Sequence, residues 1–300
     1  METITFSSQL LQYLITGVTI GSIYAMVAMG FNIIYNVTEI INFAQGEFVM
    51  LGGLTMAALG PMLGLPFYLA FPLAMAAVIL IGILLNLVAI RPIRQPSVLI
   101  LVMATIAASI IIKGGAMFGW GKDPYDLPAF SGRDPISFLG AMIQPQSLWV
   151  MGFLALVVIV LTLFFEKTLW GKAMSACANN PVAARLVGIK TRQMVLIAFA
   201  LSAGIGAMAG VAITPISLME YDRGAMLAIK GFAAVILGGL GSFPGAVVGG
   251  LVIGLIESFG AGLISSAYKD AFALILLLVV LFVRPSGLLG SIEVAKIKKF

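Results

Sequence analysis

A chain of 300 residues that is 61% hydrophobic and only 10% charged, with a mean hydropathy of +1.13, does not have water as its main solvent. A hydrocarbon layer about 30 Å thick takes roughly 20 apolar residues per helix, so this length supplies about eight to ten crossings and no large soluble catalytic domain. The excess of 17 basic over 12 acidic residues is a matter of membrane topology rather than nucleic-acid binding. The lone Cys177 excludes an internal disulfide, and the lack of histidine removes the commonest metal ligand and proton relay.

In chain order, Met1 to Gln12 holds Glu2 and no Lys or Arg, so it lacks the basic start of a cleaved signal peptide. The first apolar segment is therefore expected to remain. Apolar blocks follow at Leu10 to Phe31, Ile40 to Leu59, Phe67 to Ile90, Val98 to Phe118, Leu148 to Phe165 and Val195 to Ile216. Beyond them, Phe232 to Leu240 is short and Ala246 to Ile264 is long enough. Ala271 to Val283 spans only if extended backwards past Lys269. The pattern predicts an all-α polytopic transmembrane bundle in a single membrane domain, with nine crossings favoured and one of them short.

Basic residues orient the chain, because short cytoplasmic loops are enriched in Lys and Arg. Arg91 and Arg94 mark one inside loop. Lys167, Lys172, Arg185, Lys190 and Arg192 mark a second, and Arg284, Lys296, Lys298 and Lys299 mark the tail. The stretch from Gly119 to Ser147 then falls outside. Nine passes place the N-terminus outside and the C-terminus in the cytoplasm.

Three stretches stand out against the apolar background. In the second block, Glu39, Asn42, Gln45 and Glu47 lie in or near apolar surroundings, where a charge at the bilayer centre costs about 2.5 to 3.5 kcal/mol on insertion scales. Helical spacing would put Asn42 and Gln45 on one face, either lining a translocation path or hydrogen-bonding between helices. In the loop from Glu166 to Met194, Asn180 can cap a short helix whose first residue is Pro181 and which Gly188 can close. Val182, Ala183, Leu186 and Val187 mix with Arg185 on it, which suits docking on a partner or lying on lipid headgroups. Near the C-terminus, Gly241 to Gly245, with Pro244, is either a gate element or a plain cytoplasmic turn. Gly206 and Gly210, Gly245 and Gly249, and Gly250 and Gly254 have the spacing that lets helix backbones approach. Glu257 either pairs with Lys269 or faces the bundle interior.

The run Gly171-Lys172-Ala173-Met174-Ser175-Ala176 through Asn179-Asn180-Pro181-Val182-Ala183-Ala184-Arg185-Leu186-Val187-Gly188-Ile189 resembles the coupling loop of branched-chain amino acid ABC transporter permeases. Ile41-Asn42-Phe43-Ala44-Gln45-Gly46-Glu47-Phe48 is similar to that family's second-helix signature. Leu237-Gly238-Gly239-Leu240-Gly241-Ser242-Phe243-Pro244-Gly245-Ala246 is similar to its C-terminal glycine motif. Ser175 and Val182 stand where the family pattern has Arg and Glu, so two charges are missing from the loop. The resemblance implies an inner-membrane permease that works beside a second permease subunit. Two cytoplasmic ABC ATPase subunits and a periplasmic or extracellular substrate-binding protein complete the implied assembly. It implies Gly171, Asn180, Pro181, Ala183, Ala184, Arg185, Leu186 and Gly188 for ATPase coupling, and Asn42, Gln45, Glu47, Gly241 and Pro244 for the path.

Lys172 is followed by Ala173, so the chain has no G-x-x-x-x-G-K-[ST] nucleotide loop. Under this reading the chain is no enzyme and binds no cofactor or metal, and ATP is used by partner subunits. The implied cargo is a branched-chain amino acid, with urea or another small polar or carboxylate solute behind it. An ion-coupled secondary transporter would need a titratable relay in the membrane, for which only a few acidic residues could serve.

Overall fold

The computed structural model describes residues 6–93, 97–284 and 286–290. Arg94 and the tail lysines Lys296, Lys298 and Lys299 lie outside the described residues. Among the described residues, nine apolar helices form the bundle: α1 (Phe6–Thr38), α2 (Gln45–Ala57), α3 (Phe67–Leu85), α4 (Val98–Trp120), α5 (Pro145–Lys167), α8 (Thr191–Ile213), α9 (Arg223–Gly238), α10 (Phe243–Leu263) and α11 (Lys269–Val283). Between α5 and α8 lie two more polar helices, α6 (Leu169–Asn179) and α7 (Pro181–Leu186). A small antiparallel hairpin, β1 (Ile136–Phe138) and β2 (Ala141–Ile143), lies between α4 and α5.

Seven of the helices are long and apolar enough to cross a bilayer, counting the turn Ser266–Tyr268 with α11. The other two, α2 and α9, are shorter and well buried, so the bundle has two short members where the sequence suggested one. The expected one is α9, which begins nine residues before Phe232 because Lys230 in its middle interrupts the hydropathy, and the unexpected one is α2. The block from Ile40 to Leu59 also differs from expectation, because residues 40–44 are not helical and α2 starts at Gln45.

Packing fixes the directions. Ideal Cβ atoms on Gly21, Gly250 and Gly254 would collide with the facing backbone of α10 or α1, so these two helices run antiparallel in direct backbone contact. Gly206 and Gly210 of α8 meet Phe48 and Val49 of α2, and the two helices run parallel. Gly249 meets Ala234, bringing α9 antiparallel onto α10. Met142 N donates to Gln12 Oε1 at 2.8 Å, and Tyr125 pairs through its backbone with Met219. The start of α1, the hairpin and the α8–α9 connection therefore share one end. The single pass of α5 separates that end from α6 and α7.

Two features tie the C-terminal half to α1. Lys230 Nζ reaches Glu257 at 2.7 Å and Asp270 at 2.6 Å, and the Tyr24 hydroxyl donates to Glu257 at 2.8 Å. Glu257 thus faces the interior and pairs with Lys230 rather than Lys269. The turn between α9 and α10 uses positive φ at Gly239 and Gly241, at 108° and 88°, which suit glycine. Asn32 donates to Ser242 O at 2.8 Å and accepts from Gly241 N at 2.9 Å, while Leu288 N donates to Leu237 O at 2.7 Å. Gly241 therefore belongs to a turn held by α1, whereas Pro244 stands exposed in the first turn of α10.

This alternation yields a direct expectation. In a Cys177→Ala background, Asp134→Cys should react with a membrane-impermeant maleimide from the periplasmic side. Val187→Cys should react only after the membrane is opened. Labelling of both from one side would break the nine-segment arrangement.

Candidate functional site

At Glu39 the chain turns out of α1 with φ of 58°, and its N–H closes on Tyr35 O at 2.7 Å. Residues 39–44 then lead back into the bundle. Gln45, the first residue of α2, lies against Gly30, which is eight residues short of the end of α1 at Thr38. At 1.5 Å per residue, α2 thus begins about 12 Å inside the bundle from that end. Irregular backbone at such depth persists only where protein satisfies it. Asn42 Oδ1 accepts from Ala44 N at 3.2 Å, and Phe43 N donates to Thr105 Oγ1 at 3.2 Å.

The polar residues of this break divide into two groups. Gln45 is fully engaged: its Nε2 donates to Ser202 O at 3.3 Å, and the Ser202 hydroxyl lies between Gln45 Oε1 and Gly30 O. It joins α1, α2 and α8, as an interhelical bond does. Asn42 and Glu47 are buried to the same degree but incompletely used. Asn42 Nδ2 has no partner, and neither has Glu47 Oε2, although Ser109 donates to Glu47 Oε1 at 2.9 Å. Asn42 and Gln45 do not share a helix face, because Asn42 stands before the first turn.

Glu47 is surrounded by three elements. Its Oε2 lies 2.9 Å from where a Cβ on Gly224 would stand, so it points at the first turn of α9. Gly46 and Gly224 meet directly, and the N-termini of α2 and α9 therefore adjoin inside the bundle. On the third side α4 presents Thr105, Ser109 and Lys113, spaced by four residues and so aligned on one face. Lys113 Nζ lies 5.5 Å from the centre of the Tyr221 ring. The sequence reading passed over these three residues. Their signal was a polar side chain every fourth position in an otherwise apolar block.

The second candidate region is the loop. Asn180 caps α7, its Oδ1 accepting from Val182 N at 3.0 Å and Ala183 N at 2.9 Å, with Pro181 at the first turn. Gly188 takes φ of 91°, and Gly188 N donates to Arg185 O at 3.0 Å, closing the helix. Arg185 Nε bonds back to Pro181 O at 3.2 Å. Ala184 is buried, whereas Leu186 and Val187 are 83% and 77% exposed, so α7 presents an apolar knob. Gly171 lets α6 press on the backbone of Phe164 and Phe165 at the end of α5. A push on the loop therefore reaches a crossing helix. Burial also pushes the Cys177 thiol up, which leaves it a packing residue of α6. Gly241 is brought together with Asn32 and Asn36 of α1, not with Glu47. Pro244 lines a groove of about 500 Å³ with Met29, Phe165 and Glu166.

A bundle of apolar helices with a polar break at depth and a capped helical loop at one end defines a membrane permease. Residues 13–281 match the family described as "Branched-chain amino acid transport system / permease component", and the chain belongs to that family. It is 34% identical to the high-affinity branched-chain amino acid transport system permease protein LivH of Escherichia coli K12, over 96% of this chain and 97% of that one. It is 32% identical to BraD, a permease of the same description from Pseudomonas aeruginosa, over 96% and 98%. Among solved structures, PsaBC from Streptococcus pneumoniae in complex with Fab shares the fold with a TM-score of 0.50, at 15% identity and 92% coverage of each chain.

The two groups of polar residues should separate on substitution. Gln45→Leu removes both bonds to Ser202, leaving only the bond from Ser202 to Gly30 O, and should lower the folded yield severalfold, consistent with roughly 1 to 3 kcal/mol for an unsatisfied buried group. Asn42→Leu should leave yield closer to normal but reduce uptake per folded transporter. Size-exclusion yield and uptake in proteoliposomes read both, and equal uptake per folded Asn42→Leu transporter would assign Asn42 to packing.

Proposed function

We propose that this chain is the membrane-spanning subunit of an ATP-driven importer of branched-chain amino acids. The observation that carries the reading is the family match over nearly the whole chain. It is supported by the loop helix, whose cap, closing glycine and exposed apolar knob suit a docking element. The importer comprises a second permease subunit, two cytoplasmic ATPase subunits and an external substrate-binding protein. ATP is consumed by the ATPases, and this chain contributes the path and no catalytic group. The N-terminus lies outside and the C-terminus in the cytoplasm. Specificity is shared with the binding protein, and urea or another small solute is the weaker reading of the cargo.

In this mechanism ATPase closure pushes on α7, and the motion passes through α6 to the end of α5 and into the bundle. Asn42 and Glu47, with unspent polar atoms at depth, lie along the path. Gln45 holds α1, α2 and α8 together beside it.

The coupling step is tested by breaking α7 alone. Ala184→Pro removes the bond from Ala184 N to Asn180 O and clashes with the preceding turn, at a cost of about 3 kcal/mol or more. Leu186→Asp leaves the backbone intact and places a charge on the knob. Both variants should insert normally yet lose association with the ATPases, or lose substrate-stimulated hydrolysis, with uptake falling at least tenfold. Normal association and normal uptake in both would return α7 to the lipid surface.

A further inference from the structure

We propose that Glu47 and Lys113 form a station inside the membrane that reads the two charges of a zwitterion, Glu47 Oε2 receiving the substrate's ammonium group and Lys113 its carboxylate. The proposal deepens, and rests on, the reading of this chain as an amino-acid importer. It starts from an imbalance. Glu47 is 1% exposed, one oxygen accepts from Ser109, and the other has no partner. A buried acceptor left without a donor is costly, and structural side chains at such positions normally have theirs. The other buried carboxylate of the bundle shows the contrast: Glu257 takes Tyr24 on one oxygen and Lys230 on the other. Glu257 is fully used, and Glu47 is held half-used.

The surroundings indicate what completes it. Lys113 and Asp222 are the charged groups that act on Glu47, one attracting and one repelling. Yet Lys113 makes no ion pair within 4.0 Å to Glu47, or to any other carboxylate, among the described residues. Its ammonium is held against the Tyr221 ring instead. An acid and a base on facing helices, one buried and one half-buried, present opposite poles that no ion pair joins. A zwitterion lying head to tail between them neutralises both poles. An anion or cation of similar size neutralises one and is repelled by the other, so the pair rejects net charge. Gly224 brings the first turn of α9 against Gly46 and Glu47 Oε2, so no side chain of α9 covers the carboxylate at that position. Asn42 Nδ2, unused beside Thr105, continues the polar lining by about one turn of α4 toward the α6–α7 end.

The test uses the complete membrane complex with its second permease subunit and ATPases, in nanodiscs and without the binding protein. Three radiolabelled probes are compared: L-leucine, its amide, which keeps only the ammonium, and 4-methylpentanoate, which keeps only the carboxylate. Glu47→Gln preserves shape and the Ser109 bond, and should weaken leucine and leucinamide about ten- to a hundredfold while 4-methylpentanoate, freed of its repulsion, binds at least as tightly as to the wild type. Lys113→Met should weaken leucine and 4-methylpentanoate, with leucinamide bound at least as tightly as by the wild type. Glu47→Asp should regain most leucine binding. Wild-type binding of all three probes by both variants would overturn the assignment. Equal loss of all three would also overturn it, because it would mark a structural role, as would a wild-type complex that imports leucine but binds none without the binding protein. A wild-type complex that imports no leucine at all would overturn the functional reading beneath it.

Discussion

Lipid offers no hydrogen-bond partner to a peptide group, and two helices of this bundle begin inside it. That constraint governs the architecture. Each irregular stretch is supplied with partners by side chains: Thr105 of α4 and its own Asn42 for the approach to α2, and Asn32 and Asn36 of α1 for the turn before α10. Asn32 and Asn36 reach that turn because α1 lies against α10 at backbone distance through glycine. The glycines and these amides are thus one device. Remove the close approach and the turn loses its partners.

Fold class was legible because hydropathy dominates. Nothing but a helical bundle suits a chain so apolar, and seven of the nine apolar helices can be read from their blocks. The short helices were harder for opposite reasons. Residues 40–44 look as apolar as a helix and are not one, whereas α9 is a helix whose Lys230 interrupts the hydropathy. In both, tertiary partners decide the outcome: Thr105 receives the backbone in the first, and Glu257 neutralises the charge in the second. Local pattern does not encode a partner about 30 or more residues away.

The loop was the most legible part of the function, since Asn180, Pro181 and Gly188 act through their own neighbours in sequence. The polar break was half legible. Its own residues announced themselves by being polar in an apolar block, but their separation into the engaged Gln45 and the unspent Asn42 and Glu47 depends on Ser202 and Ser109. The α4 stripe completes the arrangement from a helix in which only Thr105 and Ala116 are buried. A peripheral helix with one polar face turned inward faces the bundle as well as the lipid boundary.

The ion cluster of Lys230 also bears on how the chain is made. During synthesis α9 emerges before either of its carboxylate partners, Glu257 on α10 and Asp270 on α11. A lysine near the middle of a lone inserted helix costs about 2.5 to 3.5 kcal/mol, and α9 has only 16 residues with which to offset it. Stable residence of α9 in the bilayer therefore awaits the two helices that follow. The three helices of the last third thus depend on one another, since the charge on one is neutralised only by the two that follow it.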